Sequence, residues 1–299
     1  MQAVLIRETG SPDVLHYEEA ERPEPGDGQV LIRVHAASVN PADWKARRGL
    51  SETRLPAVLG RDASGTVELS RADGFAEGDD VFGYVPGGGY AEFVIASADT
   101  IAKKPAALSH ERAAALPVAG MTAWQALFDR GGLERGQTAL IAGAAGGVGH
   151  LAVQFAKIAA ARVIGTGSSR NRDFVRGLGA DEYVDYKEQD VGQAVSGVDL
   201  AFDTVGGDTT QSLVPTVREG GILVTIANAP PKEAAHARGV RAELLVMSPS
   251  SEQLARIAEL VAGGEVRVEI SEVLPLTDVQ RAHKLSESGH TRGKIVLAV

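Results

Sequence analysis

Short apolar runs, broken by glycine, proline and aspartate, fill the first hundred residues. Residues 3–7, 30–35, 65–69 and 90–95 have the length and β-branched content of strands. That spacing predicts a small β-barrel or a strongly bent sheet. The texture changes at Ser109, which is placed to cap a helix opening His110-Glu-Arg112. From there apolar strands alternate with helical stretches. The strands are predicted at 138–142, 162–166, 181–185, 200–204 and 221–226, and the helices at 149–160, 171–178, 209–217 and 251–262. The strands are nearly continuous apolar runs, as a parallel sheet covered on both faces requires. Residues 266–273 and 294–299 return to the first texture.

The expected class is therefore α/β. A discontinuous β-rich domain, 1–117 and 267–299, would enclose a doubly wound parallel-sheet domain, 118–266. A chain of 299 residues is long enough for two such cores.

Composition narrows the chemistry. A net charge of -9 argues against nucleic acid or an anionic membrane as partner. No apolar run approaches the ~20 residues that span a bilayer, and MQAVLIRETG lacks the layout of a secretory signal. The absence of cysteine excludes disulfides, thiolate zinc sites, iron–sulfur clusters and a cysteine nucleophile. It is compatible with a reducing cytoplasm, the expected location.

One segment carries strong chemistry. Thr138-Ala-Leu-Ile-Ala runs into Gly143-Ala-Ala-Gly-Gly-Val-Gly149 and then His150-Leu-Ala-Val-Gln-Phe. Strand, glycine turn and helix in this order form a pyrophosphate cradle. The turn is tight, the backbone approaches the phosphates, and the helix N-terminus offers free N–H groups. The first glycine of the strict fingerprint is Ala144, and a purely structural turn is the alternative. A site for the unphosphorylated dinucleotide has an acid about 20 residues on. Here residues 167–172 read Gly-Ser-Ser-Arg-Asn-Arg, and no carboxylate appears before Asp173. Hydroxyls and guanidiniums suit a 2′-phosphate, hence NADPH. The alternative is that Arg170 and Arg172 merely solvate a helix start.

Taken with these residues, several further stretches resemble the zinc-independent quinone oxidoreductase (zeta-crystallin-like) branch of the medium-chain dehydrogenase/reductase superfamily. They are Ser38-Val-Asn-Pro-Ala-Asp43, Leu59-Gly-Arg-Asp-Ala-Ser-Gly-Thr-Val67, Gly78-Asp-Asp-Val-Phe-Gly83, Gly89-Tyr-Ala-Glu-Phe93, Leu116-Pro-Val-Ala-Gly-Met-Thr-Ala123, Asp203-Thr-Val-Gly-Gly207 and Arg292-Gly-Lys-Ile-Val296. The resemblance spans the chain. It implies a GroES-like β-barrel domain, a Rossmann domain and a substrate cleft where they meet. It also implies a homodimer joined at the Rossmann sheet edge. Zinc-dependent relatives place a cysteine near residues 40–43 and a histidine after Gly60, where this chain has Asn-Pro-Ala-Asp and Arg61. No bound metal is expected, and without a Lewis acid simple alcohol oxidation is disfavoured.

The implied reaction is hydride transfer from NADPH to a quinone or an α,β-unsaturated carbonyl. An enoyl-thioester reductase like those of polyketide synthases and a non-catalytic, crystallin-like NADPH-binding protein are the alternatives. By position, Asn40 would lie beside nicotinamide and substrate and donate to the carbonyl oxygen; it would equally cap the Pro41-Ala-Asp turn. Asp43 and Arg61, with Lys45, are candidate proton donors or carbonyl partners, or else a solvated face. Trp44, Tyr84 and Tyr90 would wall a pocket or belong to the core. Thr122 would face the nicotinamide. Ala145, Gly146, Gly147 and Val148 would hold the pyrophosphate, and Ser168, Ser169, Arg170 and Arg172 the 2′-phosphate, with Tyr186 near the adenine ribose. Val205, Ile226 and Ala227 would flank the adenosine and nicotinamide, and Arg292 or Lys294 would reach the cofactor phosphates.

Overall fold

The computed structural model describes all 299 residues. They form two compact units. One comprises Met1–Met121, Pro249–Gly264 and Val268–Val299; the other comprises Thr122–Ser248 and Glu265–Arg267.

The second unit is built on a six-stranded, all-parallel sheet. Its spatial order is Glu182–Asp185, Arg162–Gly167, Thr138–Ala142, Val198–Asp203, Val217–Thr225 and Arg241–Leu244. The first strand in sequence, Thr138–Ala142, lies in the middle, and the chain order reverses beside it. Loops leaving the carboxyl ends of the strands at such a switch point form the ligand crevice of open α/β sheets. The strands are apolar throughout because helices cover both faces; Leu140, Leu200, Phe202, Leu223 and Val224 are all buried.

The first unit holds two sheets, antiparallel except for one pair of strands. Gln2–Ile6 pairs with His16–Glu19 and Ala57–Val58. The larger sheet has seven strands, organised around the long strand Gln29–Val39. Its first half pairs with Phe93–Ser97, its whole length with Asp62–Ser70, and its last residues with Lys294–Ala298. Two registers matter for chemistry. Ser38 lies opposite Asp62, and Val39 lies opposite Ile295, so Lys294 comes level with Asn40.

The predicted strand and helix limits agree with the structure to a few residues, and the Ser109 cap is present, its Oγ accepting from the Arg112 N–H. Residues 266–273 differ. Val266 and Val268 are buried and Arg267 is exposed, the alternation that suggested a strand. The strand nevertheless begins only at Ile270. The Arg267 backbone N–H and C=O are satisfied by the side-chain amide of Gln154 at 2.8 and 2.9 Å, so no ladder forms. The helix Val279–Glu287 was also not anticipated; it joins the parallel pair Ile270–Pro275 and Lys294–Ala298.

The glycine turn is fixed by packing as well as by any ligand. A Cβ at Gly149 would lie 2.2 Å from the Gly143 carbonyl oxygen. Gly149→Ala should therefore lower stability by about 1–3 kcal/mol, the usual cost of overpacking, which urea unfolding of variant and wild type would measure.

Candidate active site

The turn after Thr138–Ala142 shows which glycines the protein itself demands. Gly143 has φ +71°, and a Cβ there would meet the Thr204 Oγ1 at 2.5 Å. Positive φ thus falls at Gly143, so the next position tolerates a side chain. Ala144 is fully buried and its N–H donates to the Thr166 carbonyl. That is the physical reason alanine can replace the first glycine of the fingerprint. Gly146 is different. A Cβ there would meet only the Gly143 carbonyl, at 3.3 Å. Internal packing therefore requires glycine only weakly at the position where a pyrophosphate would approach. The helix Gly149–Ile158 starts immediately afterwards, its His150 N–H donating to the Gly146 carbonyl and its Leu151 N–H to the Val148 carbonyl, so the turn leads straight into the positive end of the helix. This turn fits a dinucleotide.

The next strand, Arg162–Gly167, ends at Ser168, Ser169 and Arg170, with no carboxylate. The Tyr183 hydroxyl donates to the Ser168 carbonyl at 2.7 Å, and the Tyr186 N–H donates to the Gly167 carbonyl. Arg172 lies over the Tyr183 ring and 3.5 Å from Glu188. Its Nε is buried without an acceptor. Ser168, Arg172, Tyr183 and Tyr186 thus form one corner; sequence reasoning passed over Tyr183, which has no motif of its own. Arg170 is on the exposed side of that corner.

A third loop follows Val198–Asp203. The buried Asp203 accepts the Val205 and Gly206 N–H groups on one oxygen and the hydroxyls of Thr210 and Thr225 on the other. It holds the half-exposed Val205 in place, and its backbone carbonyl accepts the Ile226 N–H. Val205, Ile226 and Ala227 are therefore neighbours at one sheet end, whereas Thr122 is buried on the helix Pro117–Trp124.

In the first unit, sequence-distant polar groups converge. Asp62 is fully buried. Its Oδ2 accepts from the Ser38 hydroxyl at 2.6 Å and the Asn40 amide at 2.8 Å, with Lys294 Nζ at 3.6 Å. Its Oδ1 accepts the Val118 N–H at the start of the helix Pro117–Trp124, where an anion is favoured by the helix dipole. Asn40 is the N-cap residue of the helix Pro41–Arg47, and its side-chain amide bonds Asp62 and Lys294. The reciprocal bond is present, since Asp43 Oδ2 accepts the Asn40 N–H at 2.8 Å. Asp43 also accepts the Tyr90 hydroxyl at 3.1 Å, and His283 Nε2 approaches that hydroxyl at 3.4 Å. Because Tyr90 donates to the carboxylate, His283 must carry its proton on Nε2. Arg61, by contrast, is half-buried and donates to the Tyr84 hydroxyl.

Burial dominates the electrostatics. It raises Asp43 to about 6, opposed by the Asn40 N–H and reinforced by Asp62. It pulls Lys294 below the usual lysine range against the attraction of Asp62 and Asp43. Burial, with Arg47 nearby, lowers His283 to about 3. Tyr90 is pushed well above its ordinary range by burial and then by Asp43.

Known proteins match this architecture along its whole length. Residues 26–106 fit the model of the alcohol dehydrogenase GroES-like domain and residues 178–297 that of zinc-binding dehydrogenases. A quinone oxidoreductase of Coxiella burnetii is 38% identical with a TM-score of 0.95, the alignment covering 100% of this chain and 99% of that one. A mycobacterial protein solved in complex with NADPH is 30% identical with a TM-score of 0.93, over 100% of both chains. The 2-methylene-furan-3-one reductase of Solanum lycopersicum is 33% identical, over 99% of this chain and 79% of its own length. The chain belongs to the quinone oxidoreductase branch of the medium-chain dehydrogenase/reductase superfamily.

One of the two matching families is described as zinc-binding, but the donor set of this quinone oxidoreductase relative does not fit that metal. There is no cysteine, and no three histidine or carboxylate side chains gather as a ligand group. Both buried acids near Asn40 are occupied by N–H and O–H donors, and the cation beside them is the Lys294 ammonium. Lys294 was also expected as an alternative contact for the cofactor phosphates. Its Nζ is instead buried against Asn40 Oδ1 at 2.6 Å.

The pKa values of Asp43 and His283 set opposite pH slopes. Asp43 binds its proton more tightly folded (about 6) than unfolded (3.8), so its ionisation lowers stability as pH rises from 4 to 6. His283 binds its proton less tightly folded (about 3) than unfolded (6.5), so its contribution rises with pH over the same window. Relative to wild type, Asp43→Asn should make stability climb more steeply between pH 4 and 6, by up to about 1.4 kcal/mol per pH unit. His283→Gln should change the slope by a similar amount in the other sense. Urea midpoints across that window would measure both, and parallel pH profiles would contradict the assignment.

Proposed function

We propose that this protein is an NADPH-dependent, zinc-independent oxidoreductase that reduces quinones or α,β-unsaturated carbonyls. The observation that carries the reading is the corner formed by Ser168, Arg172 and Tyr183, where residues 167–172 carry no acid and Glu188 pairs with Arg172, beside a glycine turn that accommodates pyrophosphate. The partly buried Arg172, with an Nε that lacks an acceptor, supports a 2′-phosphate there. Quinone and enone reductases among its relatives support the substrate class. The Lys294 ammonium among the buried acids supports zinc-independence, because a second cation there would be repelled.

In this reading NADPH, when bound, supplies the hydride. Residues 118–266 form the cofactor domain, and residues 1–117 and 267–299 the substrate domain. Ala145, Gly146, Gly147 and Val148 hold the pyrophosphate. Ser168, Ser169, Arg170 and Arg172 bind the 2′-phosphate, and Tyr186 covers the adenine ribose. Val205, Ile226 and Ala227 flank the adenosine and nicotinamide, Thr122 and Asn40 face the nicotinamide, and Arg292 reaches a phosphate. Asn40 donates from Nδ2 to the oxygen on which charge develops. Asp43 is a better proton source than Arg61, because its pKa of about 6 keeps a fraction protonated near neutral pH, whereas a guanidinium stays charged. We also propose a cytoplasmic homodimer joined at the strand Arg241–Leu244, the sheet edge where Leu244 and Val246 are exposed.

Purified protein should quench NADPH fluorescence and oxidise NADPH with members of a quinone and enone panel. Failure of both would overturn the assignment, and faster turnover with crotonyl-CoA than with any quinone would redirect it to thioesters. Arg170→Ala combined with Arg172→Ala should weaken NADPH binding about 10- to 100-fold, the loss of one or two charged hydrogen bonds. NADH binding should hardly change; equal losses would remove the 2′-phosphate from this corner.

A further inference from the structure

The Asn40 amide is held from both sides by groups of fixed hydrogen-bonding character. Its Oδ1 accepts from Lys294 Nζ at 2.6 Å, and its Nδ2 donates to Asp62 Oδ2 at 2.8 Å. An ammonium only donates and a carboxylate only accepts. Rotating the amide by half a turn would set N–H groups against the ammonium and a carbonyl against the carboxylate. Both bonds would be lost in a place where Asn40 and Lys294 are almost inaccessible to water, so solvent would not replace them.

We propose that Lys294 is a positioning residue for the reduction. It locks the Asn40 amide so that the second Nδ2 proton, the one Asp62 does not take, stays available to the acceptor's carbonyl oxygen. The proposal rests on the role given to Asn40 above and adds to it the group that sets that residue's direction and strength. The distances separate this role from simple charge neutralisation. A lysine retained only to balance Asp62 would sit closest to the carboxylate. Here Nζ is 3.6 Å from Asp62 and 2.6 Å from the Asn40 carbonyl. An ammonium on Oδ1 also polarises the amide, which makes its N–H groups stronger donors, and such cooperativity is felt most where water is excluded. Lys294 reaches Asn40 through strand register, since Val39 pairs with Ile295, which lies 256 positions further along the sequence.

The test combines kinetics with side-chain amide NMR. Asn40→Ala should lower kcat about 100-fold, the usual effect of removing one donor to a developing negative oxygen. Lys294→Met, similar in shape but without the ammonium, should lower kcat at least tenfold and leave NADPH affinity unchanged. The double variant should be little worse than Asn40→Ala, because Lys294 acts through Asn40. Additive losses, or full kcat in Lys294→Met beside a damaged Asn40→Ala, would overturn the proposal. Full kcat in Asn40→Ala would instead overturn the role of Asn40 on which it rests. Should Lys294→Met fail to fold, the wild-type protein decides without cofactor. Its Asn40 Nδ2 proton signals should move together with the Lys294 Nζ signal in a pH titration. Burial lowers the Lys294 transition from the usual lysine range while it raises that of Tyr90, so Tyr90 does not confuse it. Asn40 signals that stay still while Lys294 loses its proton would overturn the inference.

Discussion

A carboxylate with no access to water must find donors, and Asp62 organises the first unit by that need. Burying an unpaired carboxylate costs several kcal/mol, so each donor that reaches it is held firmly. Ser38 and Asn40 come from the end of the long central strand, the Val118 N–H from the start of a helix, and Lys294 from the C-terminal strand. Segments far apart in sequence are thereby tied to one atom pair. Removing any one donor leaves the rest of the charge less compensated, which makes the cluster a single cooperative unit.

Asp43 extends the cluster at a different energetic level. It shares the buried environment but has fewer donors and no cation in contact, so burial prevails and its proton is retained to about pH 6. Tyr90 and His283 continue the chain of hydrogen bonds behind it. Gly60 makes room for this: a Cβ there would lie 2.6 Å from the Tyr90 ring, and its φ of +94° excludes most other residues anyway. Two acids at similar depth thus differ in their partners: Asp62 gathers two side-chain donors, a backbone N–H and a nearby ammonium, whereas Asp43 has one backbone N–H and one hydroxyl.

The second unit uses the same device for a different end. Asp203 is buried at the carboxyl end of its strand and gathers two backbone N–H groups and two hydroxyls. It shapes the loop that abuts the glycine turn, where Thr204 fills the space above Gly143. At these positions the carboxyl end of the sheet is lined by backbone, and the buried carboxylate holds that backbone in place.

The alternation of apolar runs and helices determined the doubly wound sheet, because a covered parallel strand has to be apolar on both faces. The glycine turn and the missing acid after Gly167 were likewise legible, since each is a feature of contiguous residues. Asn40, Asp43 and Arg61 were visible as candidates, but their division of labour was not: Arg61 bonds Tyr84, while Asn40 and Asp43 join the buried cluster. Period-two burial at Val266 and Val268 misled, because a side-chain amide, not a neighbouring strand, satisfies the Arg267 backbone. Tertiary structure alone decided that Lys294 faces Asn40 instead of serving as a phosphate contact. Strand register and burial set that pairing, and neither leaves a local mark in the sequence.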